Sequence, residues 1–164
     1  MKTLYLVRHA KSSWDFPHLS DFNRPLNKRG KKNAPEMGKR MAMKNISPDL
    51  LLASPAKRAF STAKSVAKEL NYAVEMIQTD ESIYHAGVGD LLFAIQKVSD
   101  QYQSLMLFGH NPGFTDLAND LTGELIANVP TAGVVAIEFQ ADQWSAVNLG
   151  QGKMLFFDYP KRLG

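Results

Sequence analysis

The run Leu4-Tyr5-Leu6-Val7 passes straight into Arg8-His9, and the same pattern occurs twice more. Leu50-Leu51-Leu52-Ala53 leads into Ser54-Pro55-Ala56-Lys57-Arg58, and Leu105-Met106-Leu107-Phe108 leads into Gly109-His110-Asn111-Pro112. Each apolar run is too short for a helix and suits a buried strand. Ligands of open α/β sheets collect at the carboxyl edge of the strands. Parallel, neighbouring placement of these three strands brings Arg8, His9, Arg58 and His110 to one pocket.

The segments between them alternate. Asn27 to Asn45 reads as a helix with Asn27 as N-cap and with Met37 and Met41 on its apolar stripe. Pro35 inside it predicts a kink or a late start. Ser54-Pro55 reads as an N-cap followed by proline in the first turn, opening a helix through Leu70 that carries Arg58 near its start. Val74–Ile77 reads as a short strand, Asp90–Val98 as a helix, and Phe114–Leu121 as another. Thr131–Phe139 and Trp144–Leu149 alternate in period two and are expected to form a hairpin across Ala141-Asp142-Gln143. The aromatic tail, Met154 to Pro160, is expected to pack on the body. Lys11 to Pro25 is long for a loop, and it leaves directly from Arg8-His9, so it is expected to line the pocket. Its turn formers are Pro17, Asp21, Asn23 and Pro25, with Trp14 and Phe16 as packing anchors. The order β-α-β-α-β-α-β-α-β-β predicts an α/β sandwich whose sheet is mainly parallel with a late antiparallel strand.

The 164 residues suit a single domain spanning 1–164. The absence of cysteine excludes disulfides and thiol catalysis. Thr3 to Val7 is too short for the apolar region of a signal peptide. No stretch approaches the roughly 20 apolar residues of a membrane span, and a cytoplasmic location is expected. The net charge of +3 is spread along the chain, densest at Lys28, Arg29, Lys31 and Lys32. That cluster reads either as a solvated helix start or as a basic rim that steers an anionic substrate or acidic partner. Nucleic-acid binding is not expected, because no basic stripe is interleaved with aromatics.

Two arginines and two histidines at strand ends suit phosphoryl transfer. Forked guanidinium donors match a phosphoryl oxygen cluster. Neutral imidazole is nucleophilic and can hold a phosphoryl group, and adjacent guanidinium groups favour its neutral form. His110 can donate to the non-bridging oxygens as charge shifts. Glu81, just past a strand end, is the candidate general acid. Each residue alone has a plainer role: an ion pair for Arg8, a structural ring for His9 or His110, a surface position for Arg58. Their joint occurrence at strand ends favours the phosphoryl reading. A zinc site built from His9, His85 and His110 with Asp or Glu is the rival chemistry, but Arg8 and Arg58 would repel the cation.

Leu6-Val7-Arg8-His9-Ala10 resembles the Arg-His-Gly signature of the histidine phosphatase superfamily, with Ala10 in place of the glycine. Lys11-Ser12-Ser13-Trp14, Arg24-Pro25-Leu26 followed by Gly30, Ser54-Pro55-Ala56-Lys57-Arg58-Ala59 and Gly109-His110-Asn111-Pro112 resemble its small SixA-type phosphohistidine phosphatases. The resemblance runs in register from Lys2 to about Gly123. It implies a phosphoglycerate-mutase-like three-layer α/β/α sandwich. It also implies His9 as the phosphorylated nucleophile, with Arg8, Arg58 and His110 completing the phosphate pocket. Glu81 sits near the expected position of the general acid. Ser12, Arg24 and Asn111, within matched motifs, are expected to bind substrate. No metal or organic cofactor is implied. The implied substrate is phosphohistidine on a histidine phosphotransfer domain. A small phosphate ester, or phosphate recognition without turnover, are the alternatives.

Overall fold

The computed structural model describes residues 1–162. Its elements are β1 (Lys2–Arg8), α1 (Lys28–Met43), β2 (Leu50–Ala53), α2 (Lys57–Glu69), β3 (Gln78–Thr79), α3 (Val88–Gln96), β4 (Ser104–Gly109), α4 (Gly113–Thr122), β5 (Val134–Phe139) and β6 (Lys153–Asp158). One six-stranded sheet has the order β3-β2-β4-β1-β5-β6. The strands β3, β2, β4 and β1 are parallel, and β5 runs against both β1 and β6.

Period-two alternation divides the strands between two cores. Leu4, Leu6, Leu50, Leu52, Leu105 and Leu107 face α3 and α4. Val7, Leu51, Ala53, Met106 and Phe108 face α1 and α2. Both sheet faces are covered, which is why these strands read as unbroken apolar runs. The result is the predicted α/β/α sandwich, with β1, β2 and β4 as parallel neighbours.

Four local expectations are corrected. The helix predicted over Asn27–Asn45 has no late start at Pro35. It begins at Lys28 because the Asn27 side chain accepts from the Gly30 amide, and it continues through the proline to Met43. Ser54 is not the N-cap of α2. Ala56 holds that position, and the Ser54 hydroxyl is turned to His110. Val74–Ile77 is not a strand: Val74–Met76 forms a 3-10 turn, and the strand is the two-residue β3 beyond it, paired with Leu52 and Ala53. Trp144–Leu149 is not the last strand either. Trp144 is fully buried in a 3-10 turn, its indole N–H donating to the Tyr102 carbonyl at 2.7 Å and its amide to Asp100 Oδ1 at 2.7 Å. The strand that pairs with β5 is β6, in the aromatic tail. Trp144 has the larger apolar surface to bury, and its core contacts override the alternation of its neighbours.

Candidate active site

Arg8 and Gly109 are register partners at the ends of β1 and β4, and the His9 amide donates to the Gly109 carbonyl at 3.0 Å. His9 and His110 therefore leave the sheet side by side, with ring centroids 5.3 Å apart. The Ser54 amide donates to the Phe108 carbonyl at 2.9 Å, which brings the end of β2 to the same edge. Arg58 follows in the first turn of α2 and is buried. The Ala10 amide donates to Thr62 Oγ1 at 2.9 Å, and the Thr62 hydroxyl donates to the Arg58 carbonyl at 2.8 Å. Helix α2 is thereby tied to the chain beside His9. From the other side, α1 comes so close that a Cβ on Gly30 would lie 2.1 Å from the Lys11 carbonyl oxygen. Only glycine permits that approach.

These elements enclose a cleft of about 260 Å3 whose lining includes Arg8, His9, Ser12, Arg24, Arg58 and His110. His9 Nδ1 lies 2.7 Å from the Ala10 carbonyl oxygen. A carbonyl only accepts, so Nδ1 carries the proton and the lone pair is on Nε2. Burial lowers the His9 pKa to about 4; the bond to Ala10 opposes this, and Arg58, Arg8 and Arg24 add to it. Burial likewise lowers His110 to about 3, helped by His9, Arg58 and His85 and opposed by Asp21. Both rings are neutral near neutral pH. Desolvation contributes more to this than the guanidinium groups that the sequence pointed to.

Three buried side-chain polar atoms lack a partner among the described residues: Arg8 Nε, Arg58 Nε and His110 Nδ1. The residues that carry them all line this cleft. Buried polar groups are almost always paired in folded proteins, so three orphans in one place mark a site built for an additional hydrogen-bonding group. Protein holds part of the two guanidinium groups. Arg8 Nη1 donates to the Val129 carbonyl at 2.9 Å, and Arg58 Nη1 donates to the Asp21 carbonyl at 2.7 Å.

Asp21 is the residue that sequence reasoning left as a turn former. Its Oδ2 accepts from Arg58 Nη2 at 3.0 Å and from the Tyr84 hydroxyl at 2.7 Å, and its Oδ1 accepts from Arg24 Nε and Nη2, both at 3.1 Å. Partial burial pushes its pKa up, but the Tyr84 hydrogen bond and the two guanidinium groups outweigh that and hold it well below the usual carboxylate range. The three-residue spacing to Arg24 was its one signal in the sequence.

Ser12 and Arg24 do reach the cleft. Both are buried, and Arg24 Nη1 donates to Ser12 Oγ. Trp14 is not a packed anchor: it is 75% exposed, with its ring lying over the Arg24 guanidinium at 3.7 Å. Phe16 is exposed as well. Asn111 lines the cleft, but its amide is fully used. Oδ1 accepts from the Thr115 amide and hydroxyl, while Nδ2 donates to Asn128 Oδ1 and to the Val129 carbonyl. With both donors and both lone pairs engaged, its side chain shapes the cleft wall and has no capacity left for substrate.

Glu81 is exposed at the start of a 3-10 turn, Glu81–Ile83, and is not among the residues that line the cleft. The next turn supplies Tyr84 and His85 instead. The Tyr84 ring packs edge-on against His110 at 5.5 Å, and His85, which lines the cleft, stacks on Tyr84 at 3.9 Å. Ser54 is the remaining contributor that the sequence did not reveal, with Oγ 2.8 Å from His110 Nε2. Among the described residues, no three His, Asp or Glu side chains are grouped as a metal site.

Solved structures of similar fold include a candidate SixA phosphohistidine phosphatase from Agrobacterium tumefaciens. It is 27% identical, covers 97% of this chain and 98% of its own, and has a TM-score of 0.82. A mycobacterial glucosyl-3-phosphoglycerate phosphatase shares the fold at TM-score 0.71 and 10% identity, over 97% of this chain and all of its own. An uncharacterized chloroplastic protein of Arabidopsis thaliana is 29% identical over 87% of this chain and 69% of its own length. The model of the histidine phosphatase superfamily (branch 1) matches residues 4–107. That match runs from within β1 to within β4, and the chain belongs to the histidine phosphatase superfamily.

Proposed function

We propose that this chain is a metal-independent, single-domain cytoplasmic phosphatase that works through a phosphohistidine intermediate on His9 and acts on phosphohistidine in a protein partner. One observation carries the reading. The only nucleophilic lone pair of His9 is on Nε2, and it shares its cleft with Arg8, Arg58 and His110, each of which carries a buried polar atom without a partner among the described residues. Phosphoryl oxygens supply acceptors for Arg8 Nε and Arg58 Nε, and neutral His110 completes the cluster.

In the first step Nε2 attacks phosphorus, and the bond from phosphorus to the substrate nitrogen breaks. The electron pair goes to the departing ring. A phosphohistidine protonated on its other ring nitrogen leaves as neutral imidazole, so this substrate needs no strong acid from the enzyme. That agrees with Glu81 not being among the residues that line the cleft. In the second step water attacks phosphorus, the Nε2–P bond breaks with its electrons returning to His9, and the proton leaves with inorganic phosphate. Throughout, the Ala10 carbonyl fixes the ring and its tautomer.

Exposure of the rim supports a protein substrate. Trp14 is 75% exposed and the His85 side chain 67% exposed, leaving the mouth accessible to a side chain presented by another molecule. The deciding experiment measures phosphate release from a histidine-phosphorylated phosphotransfer domain and from an aryl phosphate, with chelator present and His9→Ala as control. Release from the protein substrate that the variant abolishes is expected. Release from the small ester alone transfers the assignment to a small-molecule phosphomonoesterase, and full activity of His9→Ala refutes the mechanism.

A further inference from the structure

A second cavity, of about 330 Å3, adjoins the catalytic cleft and shares Arg8, Lys11 and Thr131 with it. Its outer wall includes Arg29 from α1 together with Tyr159, Pro160 and Lys161, which follow β6. That wall is firmly held. Arg40 of α1 donates to the Tyr159 carbonyl at 2.9 Å, to the Pro160 carbonyl at 2.7 Å and to Asp158 Oδ1 at 3.3 Å. The cavity therefore has cations at Arg8, Lys11, Arg29 and Lys161, rings at Tyr159 and Pro160, and no carboxylate in its lining.

A separate observation points the same way. Lys28, Arg29, Lys31 and Lys32 are all exposed on the first turns of α1, a helix with no acidic residue in its first turn. Among the described residues none of them has a carboxylate within ion-pairing distance. Cations at a helix N-terminus oppose the macrodipole, and Lys28 repels Lys31 and Lys32 at the three- and four-residue spacings. A local rule broken with no compensating contact inside the protein is expected where function demands it.

We infer that this second cavity receives an acidic segment of the phosphorylated partner, next to the histidine whose phosphoryl group enters the catalytic cleft. The inference rests on the phosphoprotein reading above. Carboxylates of the segment meet Lys11, Arg29 and Lys161, and its aliphatic parts lie against Tyr159 and Pro160. Because Arg8 borders both cavities, one continuous stretch of partner can fill the two at once.

The test is the double variant Arg29→Glu/Lys161→Glu, assayed on a histidine phosphotransfer domain with carboxylates beside its phosphohistidine and on phosphoimidazole. Neither residue belongs to the catalytic cleft, so phosphoimidazole hydrolysis reports that the fold and chemistry are intact. On the protein substrate, kcat/KM is expected to fall about tenfold or more, mainly through KM, as steering and docking are lost. Added salt should reproduce the loss in the wild type, because exposed charges are screened. In addition, Arg29→Glu alone should raise Tm while slowing the protein substrate, since it relieves the unfavourable helix start. Equal rates of wild type and double variant on the protein substrate overturn the docking inference and leave the phosphoprotein reading standing. Hydrolysis of phosphoimidazole with no phosphoprotein turnover by wild type overturns both.

Discussion

Protonation of His9 should be visible as acid sensitivity of the whole fold. His9 is 7% exposed and its pKa falls from 6.5 to about 4. At about 1.4 kcal/mol per pH unit, this corresponds to about 3 kcal/mol of differential stability. The sign follows from which state binds the proton first. The unfolded ring is protonated as pH falls below its ordinary value, whereas the folded ring stays neutral until about 4. Stability is therefore complete above the unfolded value, declines as pH falls between the two, and levels off below the folded value. By about pH 4.5 most of the His9 share should be gone. His110, lowered to about 3, acts in the same direction. The perturbation that isolates His9 is His9→Gln, compared with wild type by urea denaturation at about pH 7.5 and about pH 4.5. The acid-induced loss should be smaller in the variant by about 2 to 3 kcal/mol. Identical losses in the two proteins, or a wild-type His9 ring titrating near its ordinary value by NMR, would refute the argument from burial.

The other expectations concern the arginine network, the acid and the core. Arg58→Ala should lower kcat/KM on a phosphohistidine substrate about 100-fold or more, the scale of losing a preorganised donor to the transferring group; steady-state kinetics check this. Asp21→Ala removes the carboxylate that holds Arg24 and Arg58 Nη2 and should cost about 10- to 100-fold in kcat/KM, while Glu81→Gln should leave the rate within about twofold of wild type. A large loss in Glu81→Gln would restore it as the proton donor. Trp144→Ala empties a fully buried site remote from the cleft and should cost about 3–5 kcal/mol in denaturant unfolding with kcat largely retained.

The parts of the fold and site that could be read from sequence are those written in contiguous residues. Each of β1, β2 and β4 is an apolar run followed within a few residues by its cation or imidazole, so the convergence of Arg8, His9, Arg58 and His110 required only that the strands be parallel neighbours. Asp21 was hidden because its role depends on Arg58 and Tyr84, which are 37 and 63 residues away. Ser54 was legible as a helix start, yet its hydroxyl is used by His110 across the sheet edge. Glu81 was placed by counting past a strand, and counting cannot show that the following turn presents Tyr84 and His85 to the site in its stead. The last strand was misplaced because alternation is a weak signal when one residue of the run is a tryptophan that the core can bury.

The most direct test of the central claim is to mix the enzyme with a phosphohistidine substrate, stop the reaction in alkali, which preserves phosphoramidates, and locate the bound phosphoryl group by mass spectrometry and phosphorus NMR. The account predicts a single phosphoryl group on His9, attached at Nε2 because Nδ1 is held by the Ala10 carbonyl. Turnover without a phosphoenzyme, or a phosphoryl group at Nδ1 or on another residue, would contradict it.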